Sequence, residues 1–439
     1  MSLPRMPRPG DAPTQTLQVG MLARVEGEGG LHLQIDDGRV TEVELRIFEP
    51  PRFYEAFLRG RDFTEPPDIT ARICGICPVA YQFSSCLAIE DACGVVVPDH
   101  VRTMRRLLYC GEWIESHALH VYLLHAPDFL GYPGGIEMAA DHPDVVATGL
   151  RLKKTGNDLM DLVGGRSVHP VNVRVGGFYH RPTRAELHAF RPVLEQALQD
   201  AVATVRLVAT FDFPDLEQTC TYLSLRPQTG YPIEGGDVVT SAGDVWPVQQ
   251  VLEHVAEQHL EHSTALHSTL DGAPYAVGPL ARYSLNHDRL SPLAREVAHE
   301  AGLGRQCRNP FRSIVVRGVE LVEVLVEALR IIDAWVDGLP AAVPVPPRAG
   351  EGFGATEAPR GVLFHRYVLT GDGTIADAHI MPPTAQNQPM IETDLRELAQ
   401  RWVELGDHDL AHRCEQAIRN YDPCISCAVH GLAVTIDRG

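Results

Sequence analysis

No stretch of 18 or more consecutive apolar residues occurs in these 439 residues, so no segment reads as a membrane-spanning helix. Met1 to Gln18 is Pro-rich and lacks an apolar core, so it does not read as a secretory signal. Basic residues are in deficit, 38 against 57 acidic, for a formal net charge of −19. That sign argues against nucleic acid and anionic membrane surfaces as partners. A dinucleotide fingerprint is missing too, because Gly27-Glu-Gly-Gly30 has no flanking strand–turn–helix. Internal repeats and blocks of like charge are absent. Ten cysteines, four of them in Cys-x-x-Cys pairs, suit a reducing compartment better than a disulfide framework. Cys86, Cys93, Cys110, Cys220, Cys307 and Cys414 read as small buried side chains.

What is present is concentrated at the two ends. Cys74-Gly-Ile-Cys77 and Cys424-Ile-Ser-Cys427 each put two soft thiolates one turn apart. The pairs are 347 residues apart (77 to 424), against about 15–20 between the halves of a zinc ribbon. A fold that joined the ends would make a four-sulfur metal site, and spacing alone leaves structural zinc, an iron–sulfur cluster and a catalytic metal open.

The expected fold class is α+β and predominantly α. Leu31–Ile35 and Val40–Ile47 alternate apolar with polar around Asp37-Gly38, a hairpin signal. Residues 101–125, 184–210, 248–270, 312–339 and 392–420 sustain apolar residues at helical spacing. They predict a long-helix bundle core with a peripheral N-terminal sheet and a small β region, 361–375, before the C-terminal helix. One domain over 1–439 is expected, with 1–18 a flexible N-terminus. The cluster Glu253-His254…Glu257…His259…His262…His267 reads as a solvated polar face, and His117 and His120 as packing or hydrogen-bonding residues.

Ala71-Arg-Ile-Cys-Gly-Ile-Cys-Pro-Val-Ala-Tyr-Gln82 and Asp422-Pro-Cys-Ile-Ser-Cys-Ala-Val-His430 together resemble the N- and C-terminal signatures of [NiFe] hydrogenase large subunits. Arg24-Val-Glu-Gly27, Glu49-Pro-Pro-Arg-Phe-Tyr-Glu55, Ser116-His-Ala-Leu-His120 with Pro127-Asp-Phe129, Val168-His-Pro170 with Gly176-Gly177, Glu357-Ala-Pro-Arg-Gly361 and Pro383-Thr384 with Asn387 extend the match in the same order. The wording around Tyr81 is similar to the cytoplasmic, bidirectional branch that couples hydrogen to NAD(P).

Hydrogen is apolar and almost non-acidic, so splitting it heterolytically takes a metal to hold hydride and a base for the proton. The resemblance implies Cys74 and Cys424 as terminal nickel ligands and Cys77 and Cys427 as bridges to an iron carrying carbon monoxide and cyanide. It implies Glu26 as the proton relay from Cys424 and Arg360 as the cation over the open metal position, with Asp128 and Asp422 around it. Pro383 and Thr384 would lie near the cyanides. Glu55, the Ile380 carbonyl and His430 would hold magnesium. Tyr81 stands where many members have histidine, so its hydroxyl would replace an imidazole donor.

Iron–sulfur clusters and flavin are implied only in partners: a small subunit and flavin- and NAD(P)-binding subunits. A maturation protease is implied to remove residues 431–439. The alternatives are a complex I-like quinone-reductase subunit without nickel and a non-catalytic zinc- or cluster-stabilised scaffold.

Overall fold

The computed structural model describes residues 15–429. His430 and the segment 431–439 lie outside the described residues. Strand β1 (Gln15–Val19) pairs antiparallel with β2 (Gly29–Asp36), which pairs with β3 (Arg39–Ile47). Residues 15–18, read from the sequence as part of a loose terminus, thus belong to a sheet. Asp37 and Gly38, at φ 51° and 70°, form the two-residue turn, whose positive φ at both positions an Asp-Gly pair tolerates.

A short helix, α1 (Tyr54–Leu58), leads to the first cysteine pair. Helix α2 (Pro78–Cys93) starts on Cys77 and ends at Gly94, φ 67°; it is buried nearly all round. Helix α3 (Asp99–Leu119) runs on through a wider π turn, His120–His125. Helix α4 (Pro143–Gly164) is one that apolar periodicity did not single out. It meets α3 through glycine: a Cβ on Gly156 would lie 2.5 Å from the Glu115 nitrogen. Helix α5 (Arg184–Val208) opens with a Thr183–Glu186 capping box.

Residues 248–270, expected as a helix, form instead a hairpin of β4 (Val255–His259) and β5 (Leu266–Leu270) after one short helical turn. Ser and Thr at 263, 264, 268 and 269 are weak helix formers. Thr264 also bonds the end of β3, its nitrogen to the Ile47 carbonyl at 2.8 Å, so tertiary contacts override the periodicity.

Helix α6 (Pro279–Asn286) is followed by α7 (Ser313–Asp333), which packs on α3 and α5; α4 closes the four-helix bundle against α3 and α5. Strands β6 (Gly350–Ala358), β7 (Gly361–Leu369) and β8 (Ile375–Met381) make an antiparallel sheet in that order, lying on α2. The expected helix 392–420 is two: α8 (Pro383–Arg401) and α9 (Asp407–Arg419), divided before Gly406. The N-terminal sheet packs on α8 and α9 around Leu33, Leu45, Ile391, Leu395 and Ile418. Among the described residues no helix is long and apolar enough to cross a membrane.

Candidate metal centre

The two cysteine pairs meet. Cys74 lies in extended backbone after a 3₁₀ turn, and Cys77 caps the start of α2. Cys424 precedes a single helical turn, Ile425–Ala428. The Sγ atoms of Cys74 and Cys424 are 3.4 Å apart, those of Cys77 and Cys427 3.5 Å, and those of Cys424 and Cys427 2.7 Å. All four sulfurs are buried, within 4.8 Å of one another. Burial first, then the neighbouring sulfurs, push the Cys424 thiol well above its usual range. Thiols so packed ionise together only around a cation.

Gly27, at φ 90°, brings the N-terminal segment alongside: a Cβ there would sit 2.7 Å from that of Ile425. The Ile425 nitrogen donates to the Glu26 carbonyl at 2.9 Å, and Glu26 Oε2 accepts from Cys424 Sγ at 3.0 Å and the Ser426 nitrogen at 3.1 Å. Burial, followed by Cys74, raises the Glu26 carboxyl above its usual range. Arg52 ties both pairs together, donating from Nη2 to the Ile73 carbonyl at 2.7 Å and to the Ser426 carbonyl.

A small cavity beside the sulfurs is lined by Cys77, Tyr81, Ala358, Arg360, Leu363, Pro383, Cys424 and Cys427. Pro359 and Arg360 form the two-residue turn between β6 and β7, where Ala358 pairs with Gly361. Arg360 donates from Nε to the Asp422 carbonyl at 2.7 Å and from Nη2 to Asp422 Oδ1 at 3.2 Å. Asp422 precedes a proline yet has φ 53°, a strained backbone of the kind that clusters at functional sites. Among the described residues, Arg360 Nη1 and Asp422 Oδ2 are buried without hydrogen-bond partners. Buried polar atoms left this way beside four sulfurs call for a bound group.

A family described as nickel-dependent hydrogenase matches residues 52–143 and 266–430. The alpha subunit of sulfhydrogenase 1 from Pyrococcus furiosus is 34% identical over 422 residues, covering 94% of this chain and 97% of that one. The chain belongs to the nickel-dependent hydrogenase family. The beta subunit of the NAD-reducing hydrogenase HoxS from Cupriavidus necator is 26% identical over 95% of each chain. A solved NAD+-reducing [NiFe]-hydrogenase in the H2-reduced state superposes with a TM-score of 0.85 at 25% identity, covering 95% of this chain and all of that one. This hydrogenase chain is thus the large, catalytic subunit of an oxidoreductase acting on hydrogen, and its four-cysteine cluster suits nickel and iron.

Other residues singled out in the sequence fall as follows. Thr384 Oγ1 accepts from the Cys424 nitrogen at 3.0 Å, and Pro383 lines the cavity. Glu55 stands beside Ile380, its Oε1 accepting from the Ile380 nitrogen at 2.8 Å. Asp128 does not join Arg360. Its carboxylate is engaged by Arg419, at 2.7 and 2.9 Å, and by Arg24; two guanidiniums closer at hand outcompete a third. His117 bonds Glu320 at 2.9 Å and His120 the Arg419 carbonyl at 2.8 Å.

Sequence reading missed two supports of the centre. Glu112 on α3 accepts from the Val79 and Ala80 nitrogens at 2.6 and 3.2 Å, capping α2 just after Cys77. Arg282 on α6, stacked 4.3 Å from the Trp113 ring, donates to the Ala358 and Pro359 carbonyls at 2.6 and 2.8 Å. It thereby holds the hairpin that presents Arg360, and Glu320 and Glu357 balance its charge. A charged residue on a buried helix was the only signal available.

Proposed function

We propose that this hydrogenase subunit carries out reversible heterolytic cleavage of hydrogen at a nickel–iron centre held by Cys74, Cys77, Cys424 and Cys427. The observation that supports this most is the 3.0 Å contact from Cys424 Sγ to Glu26 Oε2 within a convergent four-sulfur cluster. When bound, the metal pair supplies the two-electron acceptor that heterolysis requires. Cys424 passes the proton to Glu26. Ser426, whose hydroxyl donates to Glu49 at 2.9 Å, continues the route toward the half-buried Glu49.

Arg360 keeps a fixed cation over the cavity, steered by Asp422 and positioned by Arg282. Burial disfavours its charge, but Asp422 and the cysteine sulfurs outweigh burial and hold it protonated. Thr384 accepts from the Cys424 nitrogen, so its own proton would be free to bond a cyanide if one were held on iron. Glu55 and the Ile380 backbone, with His430, would take magnesium.

Electrons leave through an iron–sulfur small subunit and then flavin- and NAD(P)-binding subunits, in the cytoplasm. Likeness to an NAD-reducing hydrogenase supports that acceptor, as the family match ending at residue 430 supports protease removal of 431–439. Metal analysis with infrared spectroscopy in the carbonyl and cyanide region tests the centre. One nickel per chain with those bands is expected, and Cys424→Ser loses nickel or turnover. Full activity at normal nickel content in that variant would sink the assignment.

A further inference from the structure

The histidine-rich stretch is not the solvated face its sequence suggests. His262, in the β4–β5 loop, and His267, on β5, converge with Glu392 of α8, their ligand atoms all within 4.8 Å of one another. His262 Nε2 lies 2.9 Å from Glu392 Oε1, and His267 Nε2 lies 3.7 Å from Glu392 Oε2. The second distance is too long for a hydrogen bond. His267 is only 1% exposed, yet among the described residues neither of its ring nitrogens has a hydrogen-bond partner. A buried imidazole without partners is costly, and native proteins rarely leave one so.

A single cation answers all of this. Nitrogen and oxygen ligands at about 2.0–2.2 Å from one ion stand about 3–4 Å apart, so the two observed spacings need only small side-chain adjustment. The supports of such a site are also in place. Glu44 Oε1 lies 3.9 Å from His262 Nδ1, on the ring nitrogen opposite the one that faces Glu392, and Arg46 holds Glu44 at 2.7 Å. That gap is too long for a hydrogen bond, so Glu44 adds negative charge beside the cluster without fixing the ring. The Leu45 nitrogen donates to Glu392 Oε1 at 2.8 Å and fixes the carboxylate on β3. Gln388, one turn earlier on α8, bonds Ser263 at 2.9 Å and anchors the loop.

We propose that His262, His267 and Glu392 form a second metal site, for a divalent ion of the zinc or iron(II) class. Two imidazoles and one carboxylate select such borderline ions over magnesium or calcium, and three protein ligands leave a position for water. The site is separate from the cysteine centre. Pro383, at the cavity, and Glu392 are nine residues apart on α8, about 13–14 Å along the axis. Its ion would clamp the β4–β5 hairpin and β3 to the helix whose first turn lines that cavity.

The test uses the purified complex with its nickel centre filled, so that the cysteines are occupied, and Co2+ and Zn2+ as probes. Wild type binds one Co2+ per chain with d–d absorption that Zn2+ displaces. Glu392→Gln, which keeps volume, and His267→Ala weaken binding at least tenfold. His259→Ala, on the same hairpin but outside the cluster, leaves it unchanged, as all three variants leave nickel content. Equal Co2+ binding by wild type and Glu392→Gln, or none by wild type, would overturn the proposal, since the Gln variant retains the fold even if His267→Ala does not.

Discussion

Glu26 meets the cysteine centre through one carboxylate oxygen, which accepts from both Cys424 and the Ser426 backbone. Exchanging that carboxylate for an amide keeps the shape and removes the proton acceptor. In Glu26→Gln, nickel and iron content stay at the wild-type level, while net turnover and hydrogen–deuterium exchange with water fall about 100-fold or more. Ortho–para hydrogen conversion, which needs no proton exit, survives, and unchanged exchange with water would exclude Glu26 as the sole route. His125 makes a different point about burial. Its ring sits 4.9 Å from Phe129 and 5.0 Å from His120, neither nitrogen is hydrogen-bonded among the described residues, and burial pulls its pKa down to about 3. The unfolded chain therefore binds one more proton than the folded one between about pH 3 and 6.5. Its contribution to stability is complete above pH 6.5 and is lost as pH falls toward 3. His125→Phe makes the stability slope shallower by up to about 1.4 kcal/mol per pH unit in that window. Urea midpoints at several pH values check it, and an unchanged slope would assign the acid sensitivity elsewhere.

The seam between α2 and β6 aligns Cys77, at the start of the helix, with Arg360, just past the end of the strand. Gly350, Gly352 and Gly354 alternate along β6 against Ser84, Ala88 and Ala92 of α2, so the strand rests on helix backbone. A Cβ on Gly354 would lie 2.2 Å from the Ser84 carbonyl oxygen and 2.5 Å from the Ala88 nitrogen. Backbone cannot swing aside, so Gly354→Ala destabilises by about 1–3 kcal/mol, whereas Gly371→Ala, with nothing within 4 Å, changes the urea midpoint little. Turnover per nickel drops in the first variant because Arg360 shifts relative to the sulfurs; retained turnover would uncouple the seam from the site. Such seams also explain which elements were legible in the sequence. The β2–β3 hairpin was, because Asp37-Gly38 dictates its turn locally. Helix α4 was not, because glycines interrupt its buried face of Val146, Leu152, Leu159, Met160 and Val163: Gly149 packs on Tyr122 of the π turn and Gly156 on α3. The β4–β5 hairpin was misread because its fixing bonds come from β3. In the centre, ordered motifs led to the cysteines, Glu26, Arg360 and Asp422. Asp128's partners, Arg282 and the His262–His267–Glu392 cluster depend on distances that no spacing along the chain records.

Assembly of the centre is a property of the whole chain, because its ligands come from opposite ends and no local segment holds two pairs. Connections that close that loop include the Glu26–Cys424 bridge, the Ser426–Glu49 bond and Arg52. Of these, only Arg52 bonds both cysteine segments through one side chain, and its own nitrogen donates to the Val429 carbonyl at 2.8 Å. Lysine at this place lacks the planar fork, and alanine removes the side-chain donors while leaving two part-buried carbonyls short of a partner. The helices and sheets do not depend on Arg52, which lies outside the bundle. Arg52→Ala therefore retains the far-ultraviolet circular dichroism of wild type but incorporates nickel several-fold less well, with Cys74 and Cys424 open to thiol reagents in the metal-free protein. Arg52→Lys falls between the two. Normal nickel loading in Arg52→Ala would show that the ends are held by the backbone bridge alone, and that closure is set before the cysteines meet the metal.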